Sequence, residues 1–152
     1  MSITEALFEK GLPVPAKIEL LESSGPVSPA YQFSTHVIIS TDGNAAILSY
    51  DDRREYRQGK PQKEISFKKE LTRAQYEELW TNLSRLQVFE RSRDFIGPEN
   101  RKRIGVSFNF FEISLGDRRS RCDYLLSKAK DPEFEPFLKI IDQLKGLRVL
   151  RA

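Results

Sequence analysis

The chain has 152 residues and a formal net charge of +3, from 25 basic and 22 acidic side chains. This length fits a single domain that buries enough surface to fold without disulfides or metal. The hydrophobic fraction of 39%, with ten Phe and five Tyr, argues against disorder over most of the chain. A single cysteine excludes an intramolecular disulfide. No stretch has the apolar length of a membrane helix, and the N-terminus lacks a secretory signal pattern, so we expect no membrane contact and a cytoplasmic protein.

The N-terminal region, residues 1–16, is interpreted as an extension with a short helix. Ser2 and Glu5 have capping-box spacing, and Gly11 would end a helix over residues 2–11. One domain is expected over residues 17–147, followed by a tail at 148–152.

Strands are predicted next. Residues 18–21 are a short apolar run, and residues 31–40 alternate, with Val37 and Ile39 on one side and His36 on the other. Asp42-Gly43 before the apolar residues 45–50 predicts a hairpin. Residues 51–63 are polar and predict a loop or hairpin tip, in which Asp51 and Asp52 would be solvated. Residues 64–68 alternate and predict the returning strand.

Two helices are predicted, at residues 73–87 and 136–145. Thr72 and Gln75 form a capping box for the first, and Pro136 suits the first turn of the second, with Gly146 as its stop. Between them, residues 90–103 predict a loop, and residues 104–115 a strand. Its apolar phase changes at Phe111, which predicts a β-bulge. Residues 118–126 predict its hairpin partner. The fold class expected is therefore α+β, with a mostly antiparallel sheet of about five to six strands and two main helices packed on one face.

No motif for catalysis, metal or cofactor binding is present. His36 and Cys122 are each the only residue of their type, and the eight glycines are single and far apart. This pattern excludes a phosphate loop, a dinucleotide fingerprint and a cysteine- or histidine-based metal cluster. We therefore expect no cofactor, no metal and no enzyme activity.

Positive charge is concentrated in residues 91–121, which carry eight basic and four acidic side chains. The alternation of the second hairpin places Arg119 and Arg121 outward, where they would form a positive patch on the sheet. The segment lacks the glycine and stacking aromatics of the RNA-recognition pattern. A solvated arginine face, a surface for an acidic protein and a nucleic-acid surface remain as interpretations. The residues proposed for a partner surface here are Arg101, Lys102, Arg103, Arg118, Arg119 and Arg121.

A second candidate surface is the loop over residues 22–31. It is rich in small residues and ends in an aromatic, a composition that suits either a connection or a contact. The residues proposed here are Ser23, Ser24, Gly25 and Tyr31.

The order of elements carries a family resemblance. An apolar strand and a Ser-Gly loop at residues 18–25 precede an alternating strand. A capped helix with the pattern of residues 71–79 follows and closes in Val88-Phe89. A hairpin and a helix started by proline, residues 136–141, end the domain. This order resembles the emfourin-type family of small inhibitors of thermolysin-type metallopeptidases, over about residues 17–147. The resemblance implies a non-enzymatic binder of another protein and assigns no functional residue.

The function expected is therefore a non-enzymatic protein-binding module, inhibitory or regulatory toward its partner. The alternative is a basic accessory protein that contacts nucleic acid through an arginine-rich sheet face.

Overall fold

A sheet of seven strands with helices on one side forms the framework of the chain. The computed structural model describes residues 2–24, 33–54, 63–102, 108–126 and 131–151. The strand order in the sheet is β6-β5-β4-β3-β8-β9-β7. Its strands are β3 (Ala16–Ser23), β4 (Phe33–Asp42), β5 (Ala45–Arg54), β6 (Lys63–Leu71), β7 (Arg93–Asp94), β8 (Asn109–Leu115) and β9 (Arg118–Tyr124).

The α+β class is therefore confirmed, and the expected number of strands is wrong. The described sheet has seven strands rather than five to six. It is mostly antiparallel, as expected, and β7 adds one parallel pair with β9, which makes the sheet mixed. β7 has only two residues, so no periodic pattern marks it in the sequence. It lies in the predicted loop of residues 90–103, together with a short helix, α3 (Gly97–Arg101).

Helix α2 (Arg73–Arg85) begins as its sequence predicts. The Thr72 hydroxyl accepts from the Gln75 amide at 3.1 Å, and the Gln75 side chain accepts from the Thr72 amide at 3.0 Å. These two bonds satisfy amides that would otherwise lack partners at the helix start. The helix then buries one apolar side against the sheet: Tyr76, Leu79, Trp80 and Leu83.

Helix α4 (Glu135–Lys145) is also confirmed, with small differences at its ends. A 3₁₀ turn, Pro132–Phe134, precedes it, and the Asp131 carboxylate accepts from the Glu133 amide at 3.0 Å. After Lys145 the chain continues as a 3₁₀ helix, Gly146–Arg151, whose Leu147 is buried. The residues that α4 buries in the core are Phe137, Ile140, Ile141 and Leu144.

The N-terminal helix is shorter than predicted. Helix α1 (Ile3–Ala6) ends well before Gly11, and Ser2 makes no side-chain capping bond to it. Instead, a small hairpin of β1 (Phe8–Glu9) and β2 (Leu12–Pro13) turns through Lys10 and Gly11, both at positive φ. Leu7 is fully buried beneath this hairpin, so the N-terminal residues add to the core.

Two predictions within the strands need correction. β5 runs on to Arg54, so Asp51 and Asp52 lie in a strand rather than a loop, and Asp52 is buried. The predicted β-bulge is absent from the described part of its strand, since β8 pairs without interruption with both neighbours. Phe110 simply faces the opposite side of the sheet from Phe111, Ile113 and Leu115, while residues 104–107 of the predicted strand lie outside the described residues.

Candidate protein-binding face

None of the described residues covers the side of the sheet opposite α2 and α4, and we call this side the open face. In β3, β4 and β5 the core-facing residues alternate with residues that are only partly buried or exposed. The same alternation holds in β8 and β9. No described residue of the open face in these five strands is buried. An antiparallel sheet often exposes one face to water, but such a face is then expected to be polar.

Four apolar side chains cross the open face in a diagonal line, and we call them the apolar stripe: Phe110, Leu21, Ile38 and Ile47. Phe110 pairs directly with Leu21. Leu21 pairs with His36, which places Ile38 one position further along the same face. Ser40, the next residue on that face, pairs with Ile47. The stripe therefore runs over four adjacent strands, from β8 to β5.

An ion-pair network borders the Phe110 end of the stripe. Glu112 accepts from Arg119 and from Arg121, each at 2.8 Å. Arg121 also donates from Nε and Nη2 to both Asp123 oxygens at 3.0 Å. The Arg121 guanidinium lies 4.4 Å from the centre of the Phe110 ring. The network therefore covers an aromatic ring with a fixed, planar cation.

The network shifts the pKa values of Glu112 and Arg121. Partial burial alone would raise the pKa of Glu112, but the hydrogen bonds from Arg121 and Arg119 lower it below its ordinary value. The bond to Asp123 raises the pKa of Arg121. In this network the formal charges of two arginines balance those of two carboxylates.

The expected positive patch is therefore wrong for these arginines. Arg119 and Arg121 do lie outward on one face, as the alternation predicts, but each is paired with a carboxylate. Arg101, at the end of α3, pairs with Asp94 at 3.1 Å, and Asp94 is the sheet neighbour of Asp123, so this pair adjoins the network. Arg118 faces the helix side, with its guanidinium 4.3 Å from the Phe89 ring centre. Of the predicted arginines that the structure describes, those on the open face are thus each paired with a carboxylate, which weakens the case for a nucleic-acid surface.

The remaining predicted residues are dispersed. Lys102 follows α3 and is exposed. Ser23 ends β3, and its amide donates to Asn109 at 2.6 Å, while the Ser24 hydroxyl accepts from the Phe33 amide at 3.1 Å. These bonds fix the start of the predicted contact loop. Arg103, Gly25 and Tyr31 lie outside the described residues.

A further ion pair, between His36 and Glu19, crosses the stripe between Leu21 and Ile38. His36 Nε2 lies 2.7 Å from Glu19, and Lys17 lies 3.5 Å from the same carboxylate. Further along, Arg53 lies 3.4 Å from Glu64. The apolar side chains of the open face are thus interleaved with charged groups of both signs.

A buried polar row lies on the opposite side of the sheet, beneath the end of α4. Glu22, Thr35 and Asp52 are adjacent across β3, β4 and β5, and all are buried. Thr35 donates to Asp52 at 3.0 Å. Glu22 accepts from Tyr124 at 2.6 Å and forms an ion pair with Lys145. Burial, and then the Glu22 charge, raise the pKa of Tyr124, so its hydroxyl stays a donor. These contacts attach the last turn of α4 to the sheet.

Cys122 and His36 do not form a cysteine–histidine nucleophile pair. Cys122 is fully buried on the helix side of the sheet, whereas His36 lies on the open face. Burial raises the pKa of Cys122 to about 12, so the thiol stays protonated. Within the described ranges, no three His, Cys, Asp or Glu side chains form a group that could hold a metal. None of the helices described is long and apolar enough to cross a membrane.

The apolar stripe was missed from the sequence, although it leaves a signal. Ile38 and Ile47 are single apolar residues on the solvent phase of their strands, and Phe110 stands next to the inward Phe111. Apolar residues on both phases of adjacent strands indicate a sheet with a contact surface as well as a core. Neither a scan against protein-family models nor a search of curated proteins found a match to this chain.

Proposed function

We propose that this chain is a non-enzymatic protein-binding module that docks onto a folded partner through its open face. The apolar stripe, flanked and crossed by ion pairs, carries this proposal. Specific interfaces combine a core depleted of charge with a polar rim, and they are enriched in aromatic residues and arginine. At the edge of the stripe, Phe110 and the Arg121 guanidinium above it supply an aromatic residue and an arginine.

The charges of the open face suit a protein better than a nucleic acid. Arg119 and Arg121 are already neutralised by carboxylates, so they would release few counterions from a phosphate backbone. A rim of mixed sign fits a partner surface of mixed sign, and it sets orientation more than affinity.

The partner class proposed is a thermolysin-type metallopeptidase, with inhibition as the outcome of docking. The support is the resemblance in element order described above. The test is biolayer interferometry with a purified thermolysin-type peptidase, accompanied by an assay of its peptidase activity. Saturable binding with loss of peptidase activity is expected. If the peptidase neither binds nor loses activity, the proposed partner class is wrong.

A matched pair of variants tests the face itself. Ile38→Glu places a charge in the middle of the apolar stripe and should weaken binding at least about tenfold, as loss of a central interface residue does. Val149→Glu makes the same kind of change on the helix side, where Val149 is 76% exposed, and should leave binding unchanged. Equal binding by both variants would show that the partner docks elsewhere. Circular dichroism of each variant checks that the fold is intact.

A further inference from the structure

We propose that the cleft between the end of α2 and the start of α4 binds a phosphate group. The cleft has a volume of about 410 Å³ and lies on the helix side, away from the open face. Among the described residues, its charged lining consists of Arg85, Arg91 and Lys139 against one carboxylate, Glu135. Glu135 is 4.0 Å from Lys139, and both are exposed, so this pair is weak. The cleft is left with an excess of positive charge.

Arg91 is the group that most needs an anion. Its Nη2 donates to the Gln87 side chain at 3.0 Å, while its Nε is buried and has no hydrogen-bond partner among the described residues. A buried donor without a partner is costly, and more so when it is charged. A bound anion would supply the charge that compensates for this burial.

The backbone around Arg91 is fixed at two points. Gln87 lies two residues after the end of α2 and has φ +57, a left-handed conformation that commonly follows the end of a helix. The Ser120 hydroxyl donates to the Arg91 carbonyl at 2.9 Å. These features position Arg91 at the wall of the cleft.

A phosphate group carries more negative charge than a carboxylate and offers three strong acceptor oxygens. A phosphate group therefore matches the three cations of the cleft better than a carboxylate does. The same group could belong to a free phosphate compound or to a phosphorylated side chain.

The test is a titration of the full-length, ¹⁵N-labelled protein with inorganic phosphate, followed by NMR at constant ionic strength. Parallel titrations use chloride and a phosphoserine peptide. We expect saturable shifts of the amides in residues 85–91 and 135–139 with phosphate and none with chloride. Tighter binding of the peptide would identify a phosphorylated side chain as the source, and tighter binding of phosphate a free compound. Shifts that never saturate, or that chloride reproduces, would overturn the proposal.

Variants locate the site. Arg91→Gln and Lys139→Gln should each weaken phosphate binding about tenfold, the loss expected for one charge-assisted contact. Lys139 is exposed, so this variant serves even if Arg91→Gln fails to fold. Arg73→Gln removes an exposed arginine from the other end of α2 and should change nothing. If all three variants weaken phosphate binding equally, the binding depends only on the net charge of the protein, and the proposed site is wrong.

Discussion

Lys145, at the end of α4, forms an ion pair with the buried carboxylate of Glu22, and we expect Lys145→Met to destabilise the fold strongly. The Glu22 side chain is only 8% exposed, so the substitution leaves a buried charge with the Tyr124 hydroxyl as its remaining partner. Removing one partner of a buried pair costs about 3–5 kcal/mol. Because the Lys145 side chain is 33% exposed, water reaches the site, and we place the loss just below that range, at about 2–3 kcal/mol.

Urea denaturation measures this loss. With a slope of about 2 kcal/mol/M, the midpoint should fall by about 1–1.5 M at unchanged slope. Adding Glu22→Gln removes the buried charge, so the double variant should recover about half of the loss. Lys139→Met, on the same helix, breaks an exposed pair and should stay within about 0.5 kcal/mol of the wild type. If Lys145→Met behaves like Lys139→Met, or if Glu22→Gln gives no recovery, the reasoning about the buried pair is refuted.

Two further predictions concern titrating groups. Glu112→Gln should cost about 0.5 kcal/mol at pH 7, as its arginine partners are exposed. The folded pKa of Glu112 lies below its unfolded value of about 4.3, so its contribution is present above that pH and is lost as the pH falls further. Urea titrations at pH 7 and pH 2.5 should show the gap between variant and wild type closing; a widening gap would contradict this. For Cys122, whose pKa burial raises to about 12, we expect no reaction with a thiol reagent at pH 8 until the protein is unfolded. Rapid labelling of the folded protein would contradict the burial.

The elements set by short-range patterns could be predicted from the sequence. The capping box of Thr72 and Gln75 fixes the start of α2, and Asp42-Gly43 fixes the turn from β4 to β5. In each case the decisive bonds join residues within a few positions, so a local window contains the whole signal. The alternation that shows which residues of β4 face the core also lies within one short segment.

The features set by distant partners could not be predicted. Asp52 looks solvated within a run of charges, and only its pairing with Thr35 in the sheet shows it to be buried. The arginine network has a similar origin. Arg121 pairs with Glu112 across β8 and β9, so its charge is cancelled by a strand that was predicted only for its apolar residues. The apolar stripe appears only when the register of four strands is known, since it takes one residue from each.

The position of β3 in the sheet has a consequence for folding kinetics. β3 joins β4 on one side and β8 on the other, and its pairing of Leu21 with Phe110 closes a loop of roughly 90 residues. The turns from β4 to β5 and from β8 to β9 can close early, because their ends are near in sequence. The sheet becomes one unit only when β3 brings the two halves together. We therefore expect docking of β3 onto β8 to limit the folding rate, and until it docks both halves expose unpaired strand edges that favour aggregation.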